Sequence, residues 1–200
     1  ISQMILQIIG QVCWALGIHP GFLTSATGPI MFGLDGMNQA AYAAGQPIPN
    51  IIGMAFSYSM TIAVLYPAFA LAVLIFSKSN QLKTVGKISI APAFFGISEP
   101  LMFGVPVVMN PFMAIPWIIS PTVNVLLGWL ACSSGLVARY AGVTVFNFPM
   151  GVTGILNGSF TIAILEVVVC IIDILIFMPF VRIQDKKYLA EEKAAAEAEQ

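Results

Sequence analysis

The sequence predicts an all-α integral membrane protein, with transmembrane helices and two re-entrant hairpins in an inverted-repeat arrangement. Three observations carry that reading. Charged side chains make up 8% of the 200 residues and hydrophobic ones 58%, whereas soluble domains are about a quarter charged. Several apolar runs reach the roughly 20 residues that a membrane-crossing helix needs. Two further apolar stretches are interrupted by glycine and proline, and broken backbone at membrane depth survives only when buried in protein or lining a cavity. A net charge of −1 with no basic face excludes nucleic-acid binding. The aromatic and β-branched content excludes a disordered chain.

In chain order, 1–18 is an apolar helix cut short at its start, and the absence of an initiating methionine suggests the latter part of a longer protein. Residues 22–34 are apolar but too short to span and contain Gly28, Pro29 and Gly33, which predicts a first hairpin dipping into the membrane. Residues 51–76 form the next span. Lys78, Lys83 and Lys87 follow it, and Arg182, Lys186 and Lys187 follow the span at 159–180, so the positive-inside rule makes both loops cytoplasmic. An even number of crossings must separate them. The spans at 114–138 and 159–180 supply two, so 88–113 must enter and leave on one side. Pro92, Gly96, Pro100, Gly104, Pro106 and Pro111 give it the broken backbone of a second hairpin. Opposed broken segments mark inverted-repeat transporters, whose half-helix ends meet at a mid-membrane site. The chain thus divides into a membrane-embedded domain, 1–182, and a charged cytoplasmic tail, 183–200, predicted as a solvated helical extension that frays toward Gln200.

Ionisable groups at membrane depth are costly, about 2.5–3.5 kcal/mol on insertion scales, and so are candidate functional groups. Four stand out: His19 beside the first break, Glu99 at the centre of the second, and Glu166 and Asp173 on one face of the last helix. The last two also suit hydrogen bonds between helices. Neutral polar side chains lie nearby: Asn38, Gln39, Asn50, Ser98, Asn110 and Asn124. Interleaved with Trp14, Trp117 and Trp129, such amides and hydroxyls suit a sugar, which offers hydroxyls to bond and faces to stack on aromatic rings. Cys13, Cys132 and Cys170 are isolated in apolar runs and read as small hydrophobes, so no metal or cofactor is expected. An ion-coupled secondary transporter using Glu99 or Glu166 fits the same composition, as does a non-transporting truncated remnant.

The strings WALGIHPG, NQAAYAAGQPIPNI and FFGISEPLMFGVPVVMNPFMAIPWIISPTVN resemble the membrane-embedded IIC component of the phosphoenolpyruvate-dependent sugar phosphotransferase system, in its lactose/cellobiose/chitobiose branch. The resemblance implies a bacterial cell-membrane permease with a cytoplasmic C-terminus, homodimeric through an N-terminal half absent here. It further implies a β-linked disaccharide or aryl-β-glucoside bound at mid-membrane. Its 6-hydroxyl takes a phosphoryl group from a cysteine of the separate IIB protein, which IIA charges upstream. His19 and Glu99 match the family's functional histidine and glutamate, and Asn38, Gln39, Asn50, Ser98, Asn110 and Trp117 are the expected sugar contacts.

Overall fold

The structure, a computed structural model, describes residues 1–198, and every regular element among them is helical. Helix α1 (Ser2–Ala15) is followed by α2 (Gly21–Ala43). Next come α3 (Met54–Tyr58), a π turn (Ser59–Ala63) and α4 (Val64–Phe76), which together make one helical rod. Then follow α5 (Asn80–Phe94), α6 (Glu99–Gly104), α7 (Pro111–Ser133), α8 (Val152–Leu156) and α9 (Phe160–Ala198). Among the described residues, three helices are long and apolar enough to cross a membrane: Met54–Phe76, Pro111–Ser133 and Phe160–Ala198. They coincide with the spans read from the sequence.

The rod Met54–Phe76 lies at the centre. Phe56, Met60, Leu65, Phe69 and Val73 on it are fully buried, and α4 packs against both α9 and α5. Phe69 stacks on Phe177 of α9 with ring centroids 4.4 Å apart, and Tyr66 stacks on Trp117 of α7 at 5.7 Å. Such aromatic pairs add to the stabilisation from burial alone. The outer face of α9 carries exposed Ile164, Val168, Ile171 and Leu175, as expected for a helix facing lipid.

Two sequence expectations are corrected. The segment 22–34 is not a separate broken piece, because α2 runs unbroken for 23 residues through Pro29. Proline removes one intrahelical bond, in α2 the one to the Ser25 carbonyl four residues back, and the helix continues on either side of it. Here the Ser25 hydroxyl donates to the Gly21 carbonyl (2.9 Å) and the Thr27 hydroxyl to that of Leu23 (2.8 Å). The second correction concerns the tail. It continues α9 helically to Ala198, yet Gln184 and Asp185 are buried. Asp185 accepts from the backbone N–H groups of Lys78 and Ser79 (both 2.9 Å) and from the Ser79 hydroxyl (2.7 Å), so the start of the tail holds the turn between α4 and α5. The expected fraying at Gln200 lies outside the described residues.

The segment 88–113 is broken as its prolines and glycines imply. Helix α5 ends at Phe94, the six-residue α6 begins at Glu99 with Pro100 in its first turn, and α7 starts afresh at Pro111. Helices α5 and α6 pack against each other.

Candidate functional site

The first and second breaks share one construction. After α1, Gly17 adopts φ 77° and its N–H bonds the Trp14 carbonyl, while the Ile18 N–H reaches back to Cys13. After α5, Gly96 adopts φ 75° and bonds Ala93, while Ile97 reaches back to Pro92. Both are glycine-closed helix ends of the Schellman type. His19 follows the first by two residues and Glu99 follows the second by three. The backbone also links the two regions, because the Met109 N–H donates to the Ala15 carbonyl at 2.8 Å. This ties the end of α1 to the loop beyond α6.

A cavity of about 180 Å³ lies between α1, α2 and the central rod. Gln3, Gln7, Gln11 and Trp14 line it from α1, Thr24 and Thr27 from α2, and Ser57, Tyr58, Thr61 and Tyr66 from the rod, with Phe146 contributed by the loop before α8. Trp14 meets His19 edge-on with centroids 4.8 Å apart. Nδ1 of His19 accepts the Gly21 N–H at 3.1 Å, so in the neutral ring Nε2 carries the proton and is the donor. On the other side, the Tyr66 hydroxyl lies beside Ser98 and within electrostatic range of Glu99. Glu99 is exposed in the first turn of α6, while Ser98 before it is buried. Trp117 is fully buried, and it reaches the cavity only through its stack on Tyr66. His19, Ser98, Glu99 and Trp117 are thus not themselves in the lining: His19 touches Trp14, Trp117 stacks on Tyr66, and Ser98 and Glu99 lie on the Tyr66 side.

Asn38, Gln39, Asn50 and Asn110 do not line this cavity. The Asn38 amide donates to the carbonyls of Asn50 and Tyr140, and its oxygen accepts from Asn50. Gln39 donates to Gly142, and Asn50 to Leu34. Asn110 caps α7 by accepting from Phe112 and Met113. Each amide bonds backbone, and for the buried Asn38 those bonds offset its removal from water.

The buried acids have structural partners. Glu166 accepts from the hydroxyls of Ser59 and Thr153 and from the Gly151 N–H, joining the π turn, α8 and α9. Ser59 gives its one proton to Glu166, so Tyr140, 2.8 Å away, donates to Ser59. Burial pushes the Tyr140 phenol well above its ordinary pKa, and the charge of Glu166 adds to the effect; the phenol keeps the proton that this chain requires. Asp173 accepts from Asn124 at 2.7 Å, linking α7 to α9.

Sequence reasoning misses Asp35 and the glutamine stripe. Asp35 is 2% exposed, caps α3 by accepting from the Ala55 N–H and accepts from the Thr144 hydroxyl. Around it the backbone closes tightly: a side chain at Gly142 would meet the Asp35 carbonyl oxygen at 2.4 Å. Gln3, Gln7 and Gln11 recur at steps of four, which is one face of a helix, and that period is the signal that could have marked the cavity.

The family description "Phosphotransferase system, EIIC" matches residues 1–121. The oligo-beta-mannoside-specific EIIC component of Bacillus subtilis (strain 168) is 36% identical across 98% of this chain and 46% of its own length. The lactose-specific EIICB component of Lacticaseibacillus casei is 33% identical across 92% of this chain and 33% of its own. A crystal structure of the transporter ChbC, the IIC component of an N,N'-diacetylchitobiose-specific phosphotransferase system, superposes with a TM-score of 0.91 at 36% identity, over 96% of this chain and 46% of that one. The chain spans less than half the length of these relatives. The family match takes in α1 with its closing break, the α5–α6 break and Glu99; by that match this chain belongs to the phosphotransferase system EIIC family.

Proposed function

We propose that this chain is the substrate-binding part of a phosphotransferase-system sugar permease that takes a β-linked disaccharide or aryl-β-glucoside at mid-membrane and presents its 6-hydroxyl to phosphorylated IIB. The observation that supports this best is the agreement in fold with ChbC along almost the whole chain, with the two glycine-closed breaks carrying His19 and Glu99. The names of relatives guide the substrate class, since oligo-beta-mannosides, lactose and diacetylchitobiose are all β-linked. The joined name EIICB supports IIB as the partner, with IIA upstream.

Phosphoryl transfer depends mainly on positioning and charge stabilisation. In this reading the exposed Glu99 carboxylate accepts the proton of the attacking 6-hydroxyl. His19, with Nδ1 held by Gly21, donates from Nε2 to a neighbouring hydroxyl or to an incoming phosphoryl oxygen. Ser98 borders the ring, and Trp117 acts by holding Tyr66 in its stack. Asn38, Gln39, Asn50 and Asn110 act at one remove, fixing the loops. The segment 88–113 enters and leaves from one membrane face, the C-terminus is cytoplasmic in a bacterial cell membrane, and the full-length protein is a homodimer.

Uptake of labelled cellobiose into membrane vesicles tests the reading. Uptake should require phosphoenolpyruvate and the phosphorylated IIB chain and should survive a protonophore. Uptake that is abolished by the protonophore and indifferent to phosphoenolpyruvate would establish an ion-coupled transporter instead.

A further inference from the structure

We propose that the groove between the end of α4 and the middle of α9 binds the phosphodiester headgroup of an anionic phospholipid. The groove has a volume of about 410 Å³ and is lined by Ile75, Phe76, Lys78, Arg182, Lys186 and Leu189, with Asp185 at its edge. Its chemistry is divided in the same way as a lipid. Ile75 is 59% exposed and offers aliphatic surface, whereas Lys78, Arg182 and Lys186 are exposed cations. The guanidinium of Arg182 sits over the Phe76 ring, 4.9 Å from its centroid. That contact fixes a planar donor at the boundary between apolar and basic surface.

The position along α9 points the same way. Its 39 residues extend about 58 Å, nearly twice the roughly 30 Å hydrocarbon core, so the helix must pass through a headgroup layer. Val168, Ile171, Leu175, Pro179, Arg182 and Lys186 are exposed at steps of three and four, which places them on one stripe. An acyl chain lying against the apolar part of that stripe leads its phosphate to Arg182 and Lys186. Lys78 closes the groove from the neighbouring helix end. Asp185, the acid lining the groove, does not offset these cations fully, because it is 4% exposed and engaged by Lys78 N–H, Ser79 N–H and the Ser79 hydroxyl. Basic pockets between helices at a membrane surface are suited to phosphate headgroups.

The test is lipid retention by the purified chain, measured by native mass spectrometry from micelles holding equal phosphatidylglycerol and phosphatidylcholine. Wild-type protein should prefer phosphatidylglycerol by about tenfold. Substituting Lys78→Gln, Arg182→Gln and Lys186→Gln together should abolish the preference. Substituting Lys83→Gln, Lys87→Gln and Lys193→Gln removes equal charge from exposed sites elsewhere and should leave it. Added inorganic phosphate at about 10 mM should not displace the lipid, because phosphate lacks the acyl contact. Equal retention of the two lipids, equal loss in both triple variants, or displacement by phosphate would overturn the proposal; the last would mark a free-anion site. Circular dichroism checks folding. Should the first triple variant unfold, Lys78→Gln and Lys186→Gln alone must each lower the preference, and no change in both also overturns it.

Discussion

Glu166 and Glu99 are both glutamates set in apolar sequence, and their surroundings differ in kind. Glu166 is fully buried and receives two hydroxyls and a backbone N–H from two other elements. Glu99 stands exposed in the first turn of a six-residue helix, just past a backbone break. A carboxylate with its acceptor capacity filled by protein is a structural tie, because any ligand must first displace those bonds. One at a break, with solvent access and a helix N-terminus behind it, keeps its lone pairs for chemistry. An apolar sequence setting therefore does not tell an acid open to a ligand from one tied into the fold; the partners do.

Three substitutions and a truncation can break or sharpen this contrast. The largest effect belongs to Glu99→Gln, which should lower IIB-dependent sugar phosphorylation by about 10²–10⁴-fold while leaving most sugar binding. A parallel loss of binding, measured by titration calorimetry, would recast Glu99 as a binding residue. Glu166→Ala strands three donors and should destabilise the protein by about 3 kcal/mol in thermal or denaturant unfolding. Unchanged stability with lost transport would reverse the roles of the two glutamates. Asp35→Ala removes the cap of α3 and the Thr144 bond, for a loss of about 1–2 kcal/mol in the same unfolding assay. Smallest of all, truncation after Asp185 should leave sugar binding intact, because the side chain that holds the α4–α5 turn remains. Cutting one residue earlier, after Gln184, should cost about 1 kcal/mol more. If truncation after Asp185 preserved binding but reduced IIB-dependent phosphorylation, the tail would be a docking surface.

The two breaks illustrate what the sequence makes legible. Gly96, Pro100 and Pro106 interrupt 88–113 because glycine supplies the left-handed closing residue and proline cannot continue a helix inward from its own start. Gly28, Pro29 and Gly33 are the same residue types, yet α2 continues through them. What those residue types do not reveal is how the rest of α2 is held, because the partners of Asp35 and Asn38 include Thr144 and Tyr140, more than a hundred positions away. That separation also explains why Asn38 and Gln39 resemble sugar contacts in sequence. An amide announces that it will hydrogen-bond, and only the fold decides whether the partner is ligand or backbone. The breaks beside His19 and Glu99 were legible because helix-ending glycine and proline signals lie within a few residues of each.

The π turn at Ser59–Ala63 amounts to one residue inserted into an α-helix. An insertion changes the phase of everything beyond it: each residue of an α-helix turns by about 100°. The rod Met54–Phe76 is thus two helices of different phase in a single piece. Its first part gives Ser57 and Tyr58 to the cavity and Phe56 to the core, and its second gives Tyr66 to the cavity and Phe69 and Val73 to the core. Deleting one residue in 59–63 would restore a uniform helix and rotate one part against the other. The fold could then satisfy the cavity wall or the packing with α9, but not both.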